Sequence, residues 1–194
     1  MSIPHLSPRT RKLVLTVHVV TSVGWLGSAY AMLVLVIAAL RTDDYQLRRG
    51  AYLVMHLFDS TIAWPVGLAA LLSGVLLSLT TKWGLVRYYW VAAKIVLTLV
   101  VFVAPLFARA AVIDEALVAT TEPGSTAGGA ASELMIPGIM ALTVLTAATV
   151  LSIYKPWGKT PHGRRVAARQ ASAAREAAAA RKTTTVPSRA TASR

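Results

Sequence analysis

The chain contains no cysteine, which excludes disulfides, thiolate metal sites and thiol nucleophiles. Acid is scarce as well: eight Asp and Glu stand against twenty Lys and Arg, and charged residues make up only 14% of the 194 positions. No period-two alternation runs over the length of a barrel strand, so helices are the only spanning element the sequence supports. It also lacks a phosphate-cradling glycine loop, a Ser, His and Asp arrangement and a metal-spaced histidine pair. NTPase, hydrolase and zinc-enzyme readings therefore have nothing to rest on.

What the chain has instead is apolar length. Hydrophobic residues make up 55% and mean hydropathy is +0.57, a membrane-protein composition. Four stretches suit a bilayer, which takes about 20 residues per helix: 13–40, 55–80, 88–113 and 134–154. The expected fold is all-α, a four-helix transmembrane bundle of up-down topology over 1–154, followed by a basic tail over 155–194. Pro65 either opens the second helix or kinks a longer one. A basic start and "AYA" at 29–31 imitate a secretory signal, but the apolar run continues to Leu40, so the first stretch is taken as a span.

Lys and Arg set the orientation. Arg9, Arg11 and Lys12 precede the first span, Lys82 and Arg87 bracket the second turn, and the tail carries ten basic residues against Glu176 alone, +9 of the +12 total. The connection 114–133 holds four acidic residues and no basic one. The positive-inside rule then places both termini in the cytoplasm, with the first loop outside despite Arg41, Arg48 and Arg49. Within the tail, 164–182 is rich in helix formers without bulky apolar residues, which fits a partly helical, partly disordered segment near anionic lipid headgroups. Aromatics interleaved with the charges stop at Trp157, so nucleic acid is not an expected partner. The last dozen residues carry the composition of disorder.

Ionisable groups inside apolar stretches are expensive, so each is a candidate for function. At ~1.5 Å per residue, His18 lies roughly 12 Å and Lys94 roughly 9 Å to the cytoplasmic side of their helix midpoints. His18, Ser22, Trp25 and Ala29 form one helical stripe, and Trp90 and Lys94 another. Facing each other, they would line an inner-leaflet pocket with an imidazole, an ammonium and two indoles. A hydrogen-bonding strut for His18 and a snorkelling Lys94 are the structural alternatives. Haem b with a single histidine ligand is the sharpest functional one, since His56 is roughly 25 Å away in depth.

In the outer half, His56 and Asp59 share a face, Arg109 matches Asp59 in depth as an ion-pair partner, and Met32, Met55, Met135 and Met140 fall nearby. Met and His together are soft ligands for copper, with His56, Met55 and Met135 the candidate set; Met is equally ordinary core packing. Gly24 with Ser28, and Ala70 with Gly74, are four-residue small pairs that let the first two spans approach closely.

"KLVLTVHVVTSVGWLG" followed by "YYWVAAKIVLTL" resembles the first and third helices of a group of small bacterial four-helix membrane proteins. The group comprises an uncharacterised family of predicted integral membrane proteins, copper resistance protein D-like proteins and four-helix membrane protoporphyrinogen oxidases. The shared marks are His18, Trp25, Gly27 and Lys94, over about a quarter of the chain. The resemblance implies a multi-pass protein of the bacterial cytoplasmic membrane. Its oxidase branch implies His18 as haem ligand and Lys94 as porphyrin-carboxylate partner, with electron transfer to a quinone or porphyrinogen as the enzyme reading. That branch has further histidines where this chain reads "IAALRT" and "VFVAPLF". A copper-handling or transporter-like protein and a non-catalytic accessory subunit are the other readings.

Overall fold

A computed structural model describes residues 6–81, 83–103, 105–121 and 129–184. The described residues are helical almost throughout, with no strand among them. The helices are α1 (Pro8–Arg41), α2 (Tyr45–Phe58), α3 (Trp64–Thr80), α4 (Tyr89–Val103), α5 (Pro105–Ala119), α6 (Ala130–Tyr154) and α7 (Pro161–Thr184).

Helix α1 starts five residues before the apolar run because Ser7 caps it: the Ser7 Oγ accepts from Thr10 N at 3.2 Å, and Pro8 fits the first turn, where its missing N–H costs nothing. Its 34 residues span about 51 Å, more than a bilayer core. Asp44 caps α2, its Oδ1 accepting from Gln46 N at 2.8 Å, so the second rod begins at Tyr45 rather than 55. That rod runs unbroken to Thr80, with a π-helical turn over Asp59–Ala63 between α2 and α3. Pro65 sits just beyond. It cannot donate to the carbonyl a turn earlier, and the ladder widens there while the helix continues.

Three helical rods are long and apolar enough to cross a membrane: Pro8–Arg41, Tyr45–Thr80 and Ala130–Tyr154. Tyr89–Val103 is apolar but shorter, and α5 follows it. Asp114 and Glu115, placed by sequence in a connection, belong to the last turns of α5, and α6 begins at Ala130 rather than 134. Most long apolar side chains on these rods point outward, Val23 and Ile153 among them, a surface suited to hydrocarbon.

α1 is the central strut, packed against α2, α3 and α6, while α4 packs on α6 and α3. Two apolar clusters hold the helices. One joins Met32, Val36, Tyr52, Met55, Ile113 and Leu134; the other joins Trp25, Ala70 and Leu145 with Phe102 against them. The α1/α3 seam sets large groups on small ones in antiparallel register. A Cβ on Gly74 would stand 2.9 Å from His18 Cε1, and one on Gly67 would stand 2.9 Å from Trp25 Cε2. Seven residues separate the two positions on each helix, the repeat of an antiparallel knobs-into-holes seam.

Within the tail, Pro161–Thr184 form α7. Thr160 caps α7, its Oγ1 accepting from Gly163 N at 3.0 Å, and Thr160 N donates to Arg87 O at 2.9 Å. Gly163 lies directly on that carbonyl, with no room for a Cβ. The base of α7 is thereby pinned to the turn between α3 and α4. Lys82 and residues 185–194 lie outside the described residues, and of the last dozen, expected to be disordered, Thr183 and Thr184 belong to α7.

Candidate functional site

Two polar centres interrupt the apolar bundle. The first gathers His18 from α1, Ser73 from α3, Lys94 from α4 and Ser152 from α6. His18 Nδ1 lies 3.0 Å from Ala70 O and 3.1 Å from Ser73 Oγ. A carbonyl only accepts, so Nδ1 carries the hydrogen and Nε2 the lone pair. Lys94 Nζ lies 3.5 Å from that Nε2 and donates to Ser152 Oγ at 2.8 Å. Each serine passes its own hydrogen to its helix, Ser73 to Ala69 O at 2.6 Å and Ser152 to Ala148 O at 2.8 Å. Donors and acceptors match along the whole network, which ties four helices together.

The two tryptophans do not join this centre. Trp25 lies two turns along α1, over Gly67, with Phe102 edge-on at 6.0 Å. Trp90 meets Trp83 at 5.4 Å, beside the turn before α4, where Trp83 also contacts Tyr88 at 5.1 Å and Lys155 reaches over its ring at 5.5 Å. These rings and the lysine form an aromatic and basic cluster apart from the His18 centre.

The second centre lies at the π turn. Asp59, its first residue, is buried and paired with the Arg109 guanidinium from α5. Beside Arg109 is a cleft of about 30 Å³ walled by Trp25, Trp64, Phe102 and Ala141. Arg109 Nε is buried and has no hydrogen-bond partner among the described residues. His56 turns outward instead: its Nδ1 lies 2.9 Å from Asp114 Oδ1, with both side chains at least half exposed. Met55 is fully buried in the apolar cluster, with Met32 in it and Met135 packed against it, while Met140 is exposed. Met55 and Met135 thus belong to the apolar cluster while the His56 imidazole faces Asp114, and among the described residues no group of three or more His, Cys, Asp or Glu is placed to hold a metal ion.

A haem needs a free imidazole nitrogen facing space for the macrocycle. Both nitrogens of His18 are engaged, Nε2 by the Lys94 side chain. The cleft by Trp25 is about a tenth of the ~300 Å³ at which small-molecule sites begin. In this arrangement the residues do not fit a haem.

Two arginines in the first loop region have roles that sequence reasoning missed. Arg49 Nη1 donates to Leu117 O at 3.0 Å and Thr120 O at 2.8 Å, closing the carbonyl end of α5. Arg48 does the same for α1 through Thr42 O and, at 3.4 Å, Ala39 O. Cations at helix carboxyl ends offset the dipole and satisfy orphan carbonyls. The only sequence signal is two adjacent arginines in the first turns of α2, close after the end of α1.

No known family model, curated protein or solved structure matches the chain.

Proposed function

We propose that this chain is a four-crossing integral membrane bundle, both ends on one face, that serves as a non-catalytic structural subunit in the membrane. The crossings are α1, α2 with α3, α4 continued by α5, and α6. The carrying observation is that the candidate chemical groups are engaged with one another: His18 with Lys94, Asp59 with Arg109, and Met55 and Met135 with the core. In this reading His18 is a hydrogen-bonding strut between α1 and α3, and Lys94 joins α4 to α6.

The orientation draws support from the arginines that ran against it. Arg48 and Arg49 sit on helix carboxyl ends, so their charge is offset locally and weighs less against an outer position. The opposite end collects Arg87, Lys155 and Lys159 beside the Trp83 cluster, and the basic α7 extends from there toward anionic headgroups.

The test is an absorption spectrum, oxidised and dithionite-reduced, of the protein purified in mild detergent from cells supplied with a haem precursor, beside His18→Ala. The expected result is no Soret band that depends on His18, and a lower melting temperature for the variant. A Soret band abolished by His18→Ala would overturn the structural reading and make His18 the haem ligand that the family resemblance implies.

A further inference from the structure

The joint at which the α3/α4 turn, the end of α6 and the base of α7 meet is basic without an acidic counterpart. Between Asp59 and Asp114, and again between Glu133 and Glu176, the chain carries no acidic residue. Arg87, Lys155, Lys159, Arg164 and Arg165 all fall in these intervals, and hydrogen bonds draw their segments together. Thr160 N donates to Arg87 O at 2.9 Å, Thr160 Oγ1 donates to Val86 O at 2.7 Å, Tyr88 and Lys159 form an antiparallel bridge, and Arg164 Nη1 donates to Lys159 O at 3.3 Å. The ion pairs between described residues, His56 with Asp114 and Arg109 with Asp59, lie on α2, the π turn and α5, so none of these five cations meets a carboxylate among the described residues.

The backbone of the joint is bent to present side chains. Lys155 (φ 46°) and Trp157 (φ 63°) are the only non-glycine residues with positive φ among the described residues. Residues other than glycine hold that conformation at a cost, and such positions concentrate where ligands are held. Here the Lys155 ammonium lies over Trp83, 5.5 Å from the ring centroid, and the Trp157 indole stands exposed between Lys155 and Lys159. Apolar surface continues from the cations along the bundle, where Val86, Tyr89, Ile153 and Tyr154 are all exposed. This order of groups matches an anionic phospholipid: ammonium and guanidinium groups for a phosphodiester, amphipathic rings at the glycerol level, aliphatic side chains for the acyl chains. A soluble anion would use the cations and leave the apolar surface bare.

We propose that this joint retains an anionic phospholipid, with Arg87, Lys155 and Lys159 as cations for its phosphate and Val86 and Ile153 beside its chains. The proposal rests on the membrane reading above, and it names a defined site where that reading has only the attraction of a basic helix to a charged surface.

The experiment is native mass spectrometry of the full chain in mild detergent, titrated with dioleoyl phosphatidylglycerol, with zwitterionic dioleoyl phosphatidylcholine, or with inorganic phosphate. Two double variants remove equal charge: Lys155→Gln with Lys159→Gln at the joint, and Arg169→Gln with Arg175→Gln farther along α7. The expected result is retention of phosphatidylglycerol in preference to phosphatidylcholine, weakened about tenfold by the joint pair and unchanged by the distal pair. Equal retention of the two lipids, retention of neither, or equal loss in both pairs overturns the site. Inorganic phosphate bound as tightly as phosphatidylglycerol overturns the lipid as occupant. The membrane reading fails separately, if the chain stays dispersed without detergent. Should the joint pair not fold, judged by its melting curve, Lys159→Gln at an exposed side chain decides: a weakening of about threefold supports the site, and none overturns it.

Discussion

The Nζ of Lys94 stands 3.5 Å from the Nε2 of His18, whose Nδ1–H is directed at Ala70 O, so the imidazole spans α1, α3 and α4. An ammonium here has neutral acceptors only, a histidine nitrogen and a serine hydroxyl. It is held by hydrogen bonds rather than by an ion pair.

Removing the strut should loosen the α1/α3 seam. His18→Ala deletes the bond to Ala70 O and leaves Lys94 one acceptor short, with an expected loss of about 1–2 kcal/mol, the range for interhelical hydrogen bonds in membranes. His18→Asn retains a donor for Ala70 and should recover part of the loss. Thermal unfolding in detergent measures both; an unchanged midpoint in His18→Ala would deny the strut.

The seam also predicts an order among glycines. Gly67→Ala drives a Cβ to 2.9 Å from the Trp25 ring, which is buried and held by Phe102. Gly74→Ala meets His18 Cε1 at 2.9 Å, but the next ring atom stands at 3.4 Å, a lesser overlap than the three Trp25 atoms within 3.2 Å of a Cβ on Gly67. Gly27→Ala meets nothing within 4 Å. Overpacking costs about 1–3 kcal/mol, so the melting temperature should fall most for Gly67→Ala, less for Gly74→Ala, and not at all for Gly27→Ala.

The buried pair at the π turn should be intolerant of half-removal. Asp59→Asn leaves the Arg109 guanidinium buried without its carboxylate, a change that costs about 3–5 kcal/mol where a buried pair is broken. Asp59→Asn combined with Arg109→Gln removes both charges and should be more stable than Asp59→Asn alone. A double variant no more stable than the single one in denaturant titration would show that the pair is not coupled.

Much of this architecture is legible in the residues, and the limits have identifiable causes. Apolar length marks the long helices, but not their starts, because Ser7 and Asp44 extend α1 and α2 through caps that hydropathy does not register. Matching depth brings His18 and Lys94 within reach, and Asp59 and Arg109 likewise. Depth says nothing of direction around the helix axis, however, and Trp90, expected to line a pocket, meets Trp83 edge to face instead. The engagement of His18 Nε2 depends on a side chain 76 residues away, and the caps made by Arg48 and Arg49 depend on where two helices end. These are tertiary facts with no local pattern to carry them.

The absence of cysteine makes the crossing number directly measurable. Single cysteines at Ser7, Thr121 and Ser172 report three places: the cap of α1, the segment after α5 and the exposed middle of α7. With four crossings and both ends on one face, Ser7→Cys and Ser172→Cys should resist a membrane-impermeant maleimide in intact cells and react after permeabilisation, while Thr121→Cys should react without it. The alternative has α4 and α5 turning back without crossing, since α4 alone is only 15 residues, about 22 Å. That arrangement would place Thr121 on the same face as the turn before α4, and Thr121→Cys would then be protected together with Ser7→Cys. The two arrangements predict opposite labelling at two residues, since three crossings would also put Ser172 on the face opposite Ser7, and the Arg49 bonds to Leu117 O and Thr120 O favour the first, because they hold the end of α5 beside the start of α2.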